Sequence, residues 1–205
     1  MGLTAPGWVS RPVLGDYLPA LAGAPPARRR LHGLTLVELV AVVATVAIVL
    51  TLAVPGFARL ISRSRMTTAV NTLVTNLQLA RSEAVKRGSR VTLCPVVPGS
   101  SPLACGDGTS WQTGYMVFSN PDNADTPASA DQVIRHVQGS ADAPISITTS
   151  AGRKHITYQS DGVSSGTNAT FTFCDGNARV PPQAVIVSNA GRPRISSNDS
   201  ALSCP

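Results

Sequence analysis

The chain has 205 residues, of which 14% are charged, and a formal charge of +6. Four basic residues and one acid precede residue 34, so the remainder carries 13 positive and 10 negative charges, a net +3. A charge this small does not by itself predict a nucleic-acid partner. The length is sufficient for one domain with a sizeable core after the apolar region described next.

Residues 1–33 have the composition of a leader and not of a domain. They contain five prolines, scattered glycines and alanines, and the basic cluster Arg28–Arg30 directly before the apolar region. Such a segment lacks the apolar periodicity of a folded unit. We expect a leader that is removed on maturation.

The segment 34–58 is predicted to be a transmembrane helix. Its only ionisable residue is Glu38, and Leu, Val, Ala, Ile and Thr fill most of it. A helix of this length would extend roughly 37 Å, more than the ~30 Å core of a bilayer. The basic cluster before it predicts a cytoplasmic N-terminus and an exported C-terminal part.

Glu38 is the unusual residue of this span, because a carboxylate inside an apolar helix is costly unless it stays near the interface or finds a partner. One explanation is a capping box, with Thr35 as the N-cap and Glu38 three residues later. The other explanation depends on the whole string from Gly33 to Glu38, read together with the leader and the apolar helix.

Together these features closely resemble the class III signal of type IV pilins and pseudopilins. The resemblance implies that a prepilin peptidase cleaves after Gly33 and methylates the new N-terminus at Leu34, where the family usually has Phe. It also implies that Glu38 pairs with the N-terminal amine of a neighbouring subunit during assembly. A buried acid is tolerated when a cation neutralises it in this way.

Residues 59–88 are predicted to continue the helix as an amphipathic half, after a kink at Pro55. Gly88 is the expected C-cap. Six apolar residues follow a spacing of 4, 3, 4, 3 and 4 and form one stripe for a core: Met66, Val70, Leu73, Leu77, Ala80 and Ala84. The basic residues of this half indicate a solvated face, with anionic lipid or neighbouring subunits as the alternative contacts: Arg59, Arg63, Arg65, Arg81, Lys86 and Arg87.

Residues 89–205 are predicted to form an exported β domain with a C-terminal tail. Short alternating segments separated by Gly-, Pro- and Asn-rich turns favour an antiparallel sheet or a two-sheet sandwich. The expected strands are 90–93, 111–118, 133–137, 145–148, 155–158, 170–174, 184–188 and a short one near 194. The acidic loop 119–130 lacks the spacing of an EF-hand, so we expect a solvated loop and not a calcium site. With the long helix packed on the sheet, the fold class is α+β, type IV pilin-like.

The four cysteines are expected to form two disulfides on the exported side. Proximity in the chain favours Cys94 with Cys105 and Cys174 with Cys204, among three possible pairings. The sequence lacks the close Cys-x-x-Cys pairs and nearby His of a zinc site, so no metal is expected.

Nothing in the sequence predicts an enzyme. His136 and His155 each stand alone on a predicted strand, and no Ser-His-Asp arrangement, phosphate-binding loop or dinucleotide fingerprint is present. We therefore expect no catalytic residues and no cofactor. A membrane-anchored exported enzyme remains the alternative from a different functional class.

The tail contains the string Asn189-Ala190-Gly191-Arg192-Pro193-Arg194. Gly191 permits a turn and Pro193 fixes the local backbone. In an extended segment the two arginines would point the same way, about 6–7 Å apart, which is close to the phosphate spacing along a nucleic-acid strand. A surface turn with two solvated charges is the alternative.

The N-terminal signal, Cys94-Pro95, the stretch from Trp111 to Phe118 and this tail together resemble the FimT/GspH family of minor pilins and pseudopilins, over residues 28–204. Within that family the Gly-Arg-x-Arg tail is associated with FimT members that bind DNA in natural transformation. The resemblance implies double-stranded DNA contact at Gly191, Arg192 and Arg194.

Accordingly, the sequence predicts a FimT-like minor pilin that inserts into the inner membrane, exposes its β domain to the periplasm and joins a pilus with other pilins. Arg179 and the pair Arg153-Lys154 are possible helpers in DNA binding. The nearest alternative is a GspH-like pseudopilin of a type II secretion system without a DNA role.

Overall fold

The computed structural model describes residues 33, 35–106, 110–150, 153–164, 166–197 and 202–204. The chain divides into two compact units, residues 1–44 and 45–205. The expected leader before Gly33 and the expected first mature residue, Leu34, lie outside the described residues.

A single α-helix, α1, spans Leu36–Arg87. It begins directly after Thr35, which takes the N-cap position that the capping box predicted. The Thr35 Oγ1 atom accepts a hydrogen bond from the Glu38 backbone N–H at 3.2 Å, which is one half of the expected capping box. In this way Thr35 satisfies one of the amides that the first turn leaves without a helical partner.

The helix ends at the expected glycine. Gly88 has a φ of +60°, and its N–H donates to the Val85 carbonyl at 3.3 Å while the Ser89 N–H donates to the Ala84 carbonyl at 3.2 Å. This pair of bonds is the Schellman motif, and it satisfies carbonyls that the last turn leaves without a helical partner.

The first half of α1 is apolar and exposed. The helix is long and apolar enough to cross a bilayer, with a mean hydropathy of 2.6 over 18 residues, and none of that window is buried in the protein. Leu36, Val43 and Ile48 are each more than half exposed. Such a continuous apolar surface is unstable in water and indicates a lipid or protein environment.

Eight strands follow the helix. They are β1 (Val91–Pro95), β2 (Gly114–Ser119), β3 (Val133–Gln138), β4 (Ile145–Thr149), β5 (Ile156–Tyr158), β6 (Ala169–Asp175), β7 (Gln183–Val187) and β8 (Pro193–Ser196). They form two four-stranded sheets in the orders β3-β2-β1-β5 and β4-β6-β7-β8. Every pairing is antiparallel, so the two-sheet arrangement agrees with the expected fold class.

The second strand differs from its prediction. Residues 111–118 read as one strand, but β2 begins only at Gly114, and the Gly114 N–H donates to the Trp111 carbonyl in a turn at 3.2 Å. The Trp111 N–H donates to the Ile147 carbonyl of the other sheet at 2.8 Å. Trp111 is therefore a link between the two sheets. A short 3-10 helix, Ala130–Gln132, was also not predicted.

One core joins the helix to both sheets. The six residues of the predicted stripe are all buried, with exposed fractions of 0–2%. They pack with inward-facing residues of six strands, Leu93 and Phe171 among them. The helix stripe thus occupies the position that its 3.6-residue period predicted. The Asn76 amide also donates to the Tyr115 hydroxyl at 3.3 Å, and burial raises the pKa of Tyr115 to about 12.

A smaller apolar cluster covers the opposite face of the first sheet. It contains Cys94, Val96, Met116 and Phe118, and the disulfide between Cys94 and Cys105 lies within it. The second disulfide joins Cys174 to Cys204. These are the two pairings expected from proximity in the sequence. With both faces covered, all five residues of β1 are buried.

Leu73→Ala should lower the free energy of unfolding by about 2–5 kcal/mol, because Leu73 is completely buried at the centre of the helix stripe. The measurement is urea unfolding of the full chain in nonionic detergent, followed by tryptophan fluorescence, to which the core residue Trp111 and the leader residue Trp8 contribute. Thr75→Ala, on the exposed side of the same helix, is the control and should change the stability by no more than about 0.5 kcal/mol. Equal unfolding midpoints for the two variants would contradict this packing.

Candidate nucleic-acid interface

The predicted tail motif forms the turn between β7 and β8. The Gly191 N–H donates to the Ser188 carbonyl at 2.8 Å, and the Ser188 N–H donates to the Arg192 carbonyl at 3.4 Å. Val187 then pairs with Pro193, and Ile186 with Arg194. Pro193 is the first residue of β8, a position where a missing N–H is tolerated in an edge strand.

Gly191 cannot be replaced without strain. It is buried and has a φ of +71°, a conformation that favours glycine. A Cβ atom here would collide with the Gly162 carbonyl oxygen and lie 3.0 Å from Cε1 of Tyr158. The glycine therefore permits the close approach of the tail turn to the loop after β5.

That loop, residues 159–164, is bonded directly to the tail turn. The Ser164 N–H donates to the Asn189 carbonyl at 2.9 Å, and the Ser164 hydroxyl donates to the Ser188 carbonyl at 2.8 Å. Ser164 is completely buried. Two hydrogen bonds and the glycine contact thus fix the turn that carries the arginines.

Arg192 and Arg194 are both exposed, while Gly191 beside them is buried. Among the residues that the structure describes, the salt bridges all involve Glu83, at the end of α1. The two tail arginines therefore present positive charge on an anchored backbone with no acidic partner in the described chain.

A groove lies between the tail and α1. Its volume is about 600 Å³, and its walls are Gln78, Arg81, Ser82, Val85 and Lys86 of the helix with Arg192 and Pro193 of the tail. Three of these residues are cationic, and none of them is acidic. From the sequence we expected Arg81 and Lys86 to belong to a solvated face. The tail residue Arg192, which lines the same groove, is more than a hundred residues away in the sequence.

Glu83 is the acid closest in sequence to the groove residues of α1. Its Oε2 atom is 2.7 Å from Arg87 Nε, and its Oε1 atom is 3.6 Å from Lys86 Nζ. The hydrogen bond from Arg87, with smaller contributions from Lys86, lowers the pKa of Glu83. Arg87 is thus its principal partner, and Lys86 remains exposed.

Arg179 lies away from the tail arginines. Its N–H donates to Asp175 Oδ2 at 2.9 Å, at the end of the sheet where β6 leads to β7, whereas the tail turn follows the other end of β7. The five residues of β7 separate the two positions, at about 3.3 Å per residue. The structure does not bring Arg179 into one site with Arg192.

The other suggested helpers are near the loop after β5. Arg153 donates from Nη1 to the Gly166 carbonyl at 2.5 Å and from Nη2 to Asn168 Oδ1 at 3.4 Å. This guanidinium therefore stabilises the segment 166–168, directly before β6, and is less available for a ligand. Lys154 is exposed beside it.

The processing and assembly residues lie in the first unit. Gly33 and Glu38 are exposed, and Leu34 is outside the described residues. In the described ranges, no group of three or more His, Cys, Asp or Glu residues has the arrangement of a metal site.

The family model described as type II transport protein GspH matches residues 69–191, more than half of the chain. The chain belongs to the GspH family. Membership gives this GspH-family protein a structural, pilin-like function, that of a minor pilin or pseudopilin. The match includes residues 69–87 of α1, both sheets as far as β7 and the start of the tail motif at Gly191.

Two solved structures resemble this GspH-family protein, both of the type IV minor pilin FimU from Pseudomonas aeruginosa strain PAO1. One crystal form is 22% identical with a TM-score of 0.49 and covers 68% of this chain and 92% of FimU. The other is 21% identical with a TM-score of 0.48 and covers 63% and 91%. Similarity at this level is not sufficient to transfer a function. No curated protein sequence matches the chain significantly.

Gly191→Ala should lower the free energy of unfolding by roughly 2–4 kcal/mol, because it adds an unfavourable φ to a backbone collision. Gly166→Ala is the matched control, since Gly166 has a φ of +77° but open space around its Cα. Gly166→Ala should lower the free energy of unfolding by only about 1–2 kcal/mol. Urea unfolding in detergent measures both, and equal losses would mean that the contact with Gly162 is unimportant.

Proposed function

We propose that this protein is a FimT-like minor pilin of a type IV pilus that binds double-stranded DNA for uptake in natural transformation. The observation that supports DNA binding is the pair of exposed arginines, Arg192 and Arg194, on a turn that Gly191 and Ser164 anchor. A held turn loses little conformational entropy on binding, which favours affinity.

The chemistry of the pair suits a phosphate backbone. Arg194 lies in an extended strand and Arg192 directly before it, so their Cα atoms are about 6–7 Å apart. Guanidinium groups bind phosphate oxygens through two parallel hydrogen bonds. Contacts of this kind carry no sequence information, so we expect binding that is independent of sequence and steeply dependent on salt.

The N-terminal region supplies the assembly part of the proposal. A prepilin peptidase removes residues 1–33 and methylates Leu34, and segment 34–58 anchors the protein in the inner membrane. Residues 59–88 connect it to the periplasmic β domain, 89–205. Glu38 then pairs with the N-terminal amine of a neighbouring pilin, which neutralises a carboxylate in an apolar environment.

A second candidate is a pseudopilin of a type II secretion system, a structural part with no DNA role. The description of the matching family model, type II transport protein GspH, favours it. Deletion of the gene separates the two functions, because loss of transformation supports the pilus and loss of protein secretion supports the pseudopilin.

The protein purified from its own membranes should have the mass of residues 34–205 plus one methyl group. The physical reason is that the leader ends at Gly33, which is exposed before the helix begins. Intact-mass spectrometry makes the measurement, with cells that lack the leader peptidase as the control. A continuous bond between residues 33 and 34 in normal cells would contradict the pilin proposal.

Arg192→Gln combined with Arg194→Gln should weaken binding to a random DNA duplex. The slope of log K against log salt should become less steep by about 1.8, since two phosphate contacts are lost. Fluorescence anisotropy with the full chain in zwitterionic nanodiscs, over a range of salt concentrations, measures this slope.

The matched control for the tail variant is Arg135→Gln with Arg179→Gln. It removes the same charge from two exposed positions on other parts of the β domain. We expect this control to retain the affinity of the original chain. If both double variants bound DNA equally well, the tail would not be the site.

A further inference from the structure

The groove between α1 and the tail has the features of a phosphate site. It places Arg81 and Lys86 of the helix beside Arg192 of the tail, with Gln78 and Ser82 as additional polar residues. A volume of about 600 Å³ is in the range of small-ligand sites, which is about 300–1,000 Å³. Three cations around one concave space concentrate positive potential there.

The position of Arg81 is set by packing. A Cβ atom on Gly162 would lie 3.1 Å from Arg81 Nε and 3.1 Å from Val85 Cγ2. The arginine side chain therefore lies against the loop after β5. Since the same Gly162 contacts Gly191, one backbone segment holds both the helix wall and the tail wall of the groove.

Two polar side chains lie near this segment, the carboxylate of Asp161 and the buried hydroxyl of Tyr158. Asp161 accepts the Val163 N–H at 3.1 Å, and no ion pair joins it to Arg81 within the described chain. The Tyr158 hydroxyl is buried and has no hydrogen-bond partner among the residues that the structure describes. Burial raises the pKa of Tyr158, and the nearby charge of Arg81 partly offsets this. Arg81 thus has no acidic partner among the described residues.

We propose that this groove holds a backbone phosphate of the DNA, with Arg81 and Lys86 forming the second wall of the tail site. The inference rests on the proposed function, because it extends the same DNA path from the tail onto the helix. It assigns the α1 cations a direct ligand contact in place of a solvated surface.

An anionic membrane surface is the competing ligand, and the geometry disfavours it. Ala58 ends the apolar segment, and Arg81 follows 23 residues later in the same continuous helix, roughly 35 Å along its axis. The field of charged headgroups falls off within a Debye length, about 8 Å at physiological salt. A membrane that holds the apolar half is therefore out of reach of the groove.

The test compares Arg81→Gln with Lys86→Gln, as a double variant, with the original chain and a matched control. The control, Arg63→Gln with Arg65→Gln, removes two exposed cations from the same helix outside the groove. Full chains in zwitterionic nanodiscs are titrated with a random DNA duplex. The groove variant should bind on the order of tenfold more weakly, with a shallower salt dependence, while the control and the thermal unfolding of all chains remain unchanged.

A double-mutant cycle identifies the shared phosphate. Combining Arg81→Gln with Arg192→Gln should reduce affinity by less than the product of the two single effects, because both residues act on one group. Combining Arg81→Gln with Arg194→Gln should be closer to that product. Fully multiplicative effects in both cycles would overturn the shared site.

The remaining outcomes are also decisive. If the groove variant binds DNA as the matched control does while the tail variant is weak, the groove inference is wrong and the tail proposal stands. If the original chain does not bind DNA, the proposed function fails and the groove inference fails with it. If the groove variant keeps its DNA affinity but loses binding to phosphatidylglycerol vesicles, the groove belongs to lipid.

Discussion

The burial of one stripe of α1 against both sheets is the constraint on which the soluble part of the fold depends. Leu73 and Leu77 are completely buried among residues from the two sheets. Burying such side chains stabilises by roughly 1.5–3 kcal/mol each relative to exposure. The 3-10 helix Ala130–Gln132 has no buried residues. In the described part of the chain, α1 is therefore the helix that joins the two sheets into one core.

This packing also determines where the basic residues of the helix can lie. Ala80 and Ala84 face the core, so residues one or three positions away, such as Arg81, fall at the border of the buried stripe. This border forms one wall of the groove, and the tail forms the other wall.

Periodic patterns in the sequence predicted the elements well, because local spacing alone determines which face of an element is buried. The stripe from Met66 to Ala84 and the C-cap at Gly88 agree with the structure, and all eight expected strands are present with shifts of a few residues. The start of β2 was wrong, because Trp111 and the following residues alternate like a strand while Gly114 forms a turn.

The site was less predictable, since it depends on contacts between distant segments. The motif at 191–194 identifies the tail arginines by itself, but the groove needs Arg81 and Arg192 in one place. Nothing local to residue 81 indicates a neighbour in the tail. Arg179 shows the converse, because it lies only 13 residues before Arg192 in the sequence and at the opposite end of β7. Proximity in sequence is therefore a poor guide to a site built across a hairpin.

Arg194 lies on the edge strand β8, and Arg192 lies in the turn directly before it. β8 pairs with β7 alone, through four residue pairs from Val187–Pro193 to Ala184–Ser196. An edge strand under load separates one pair at a time.

The disulfide between Cys174 and Cys204 closes a segment of the chain that contains β7, the turn and β8. A force applied at Arg192 or Arg194 can therefore open the pairing of β8 but cannot extend the chain beyond that covalent loop. The loop after β5 adds a second restraint on the turn through Ser164. The turn that carries the two arginines is thus restrained both by a covalent loop and by hydrogen bonds.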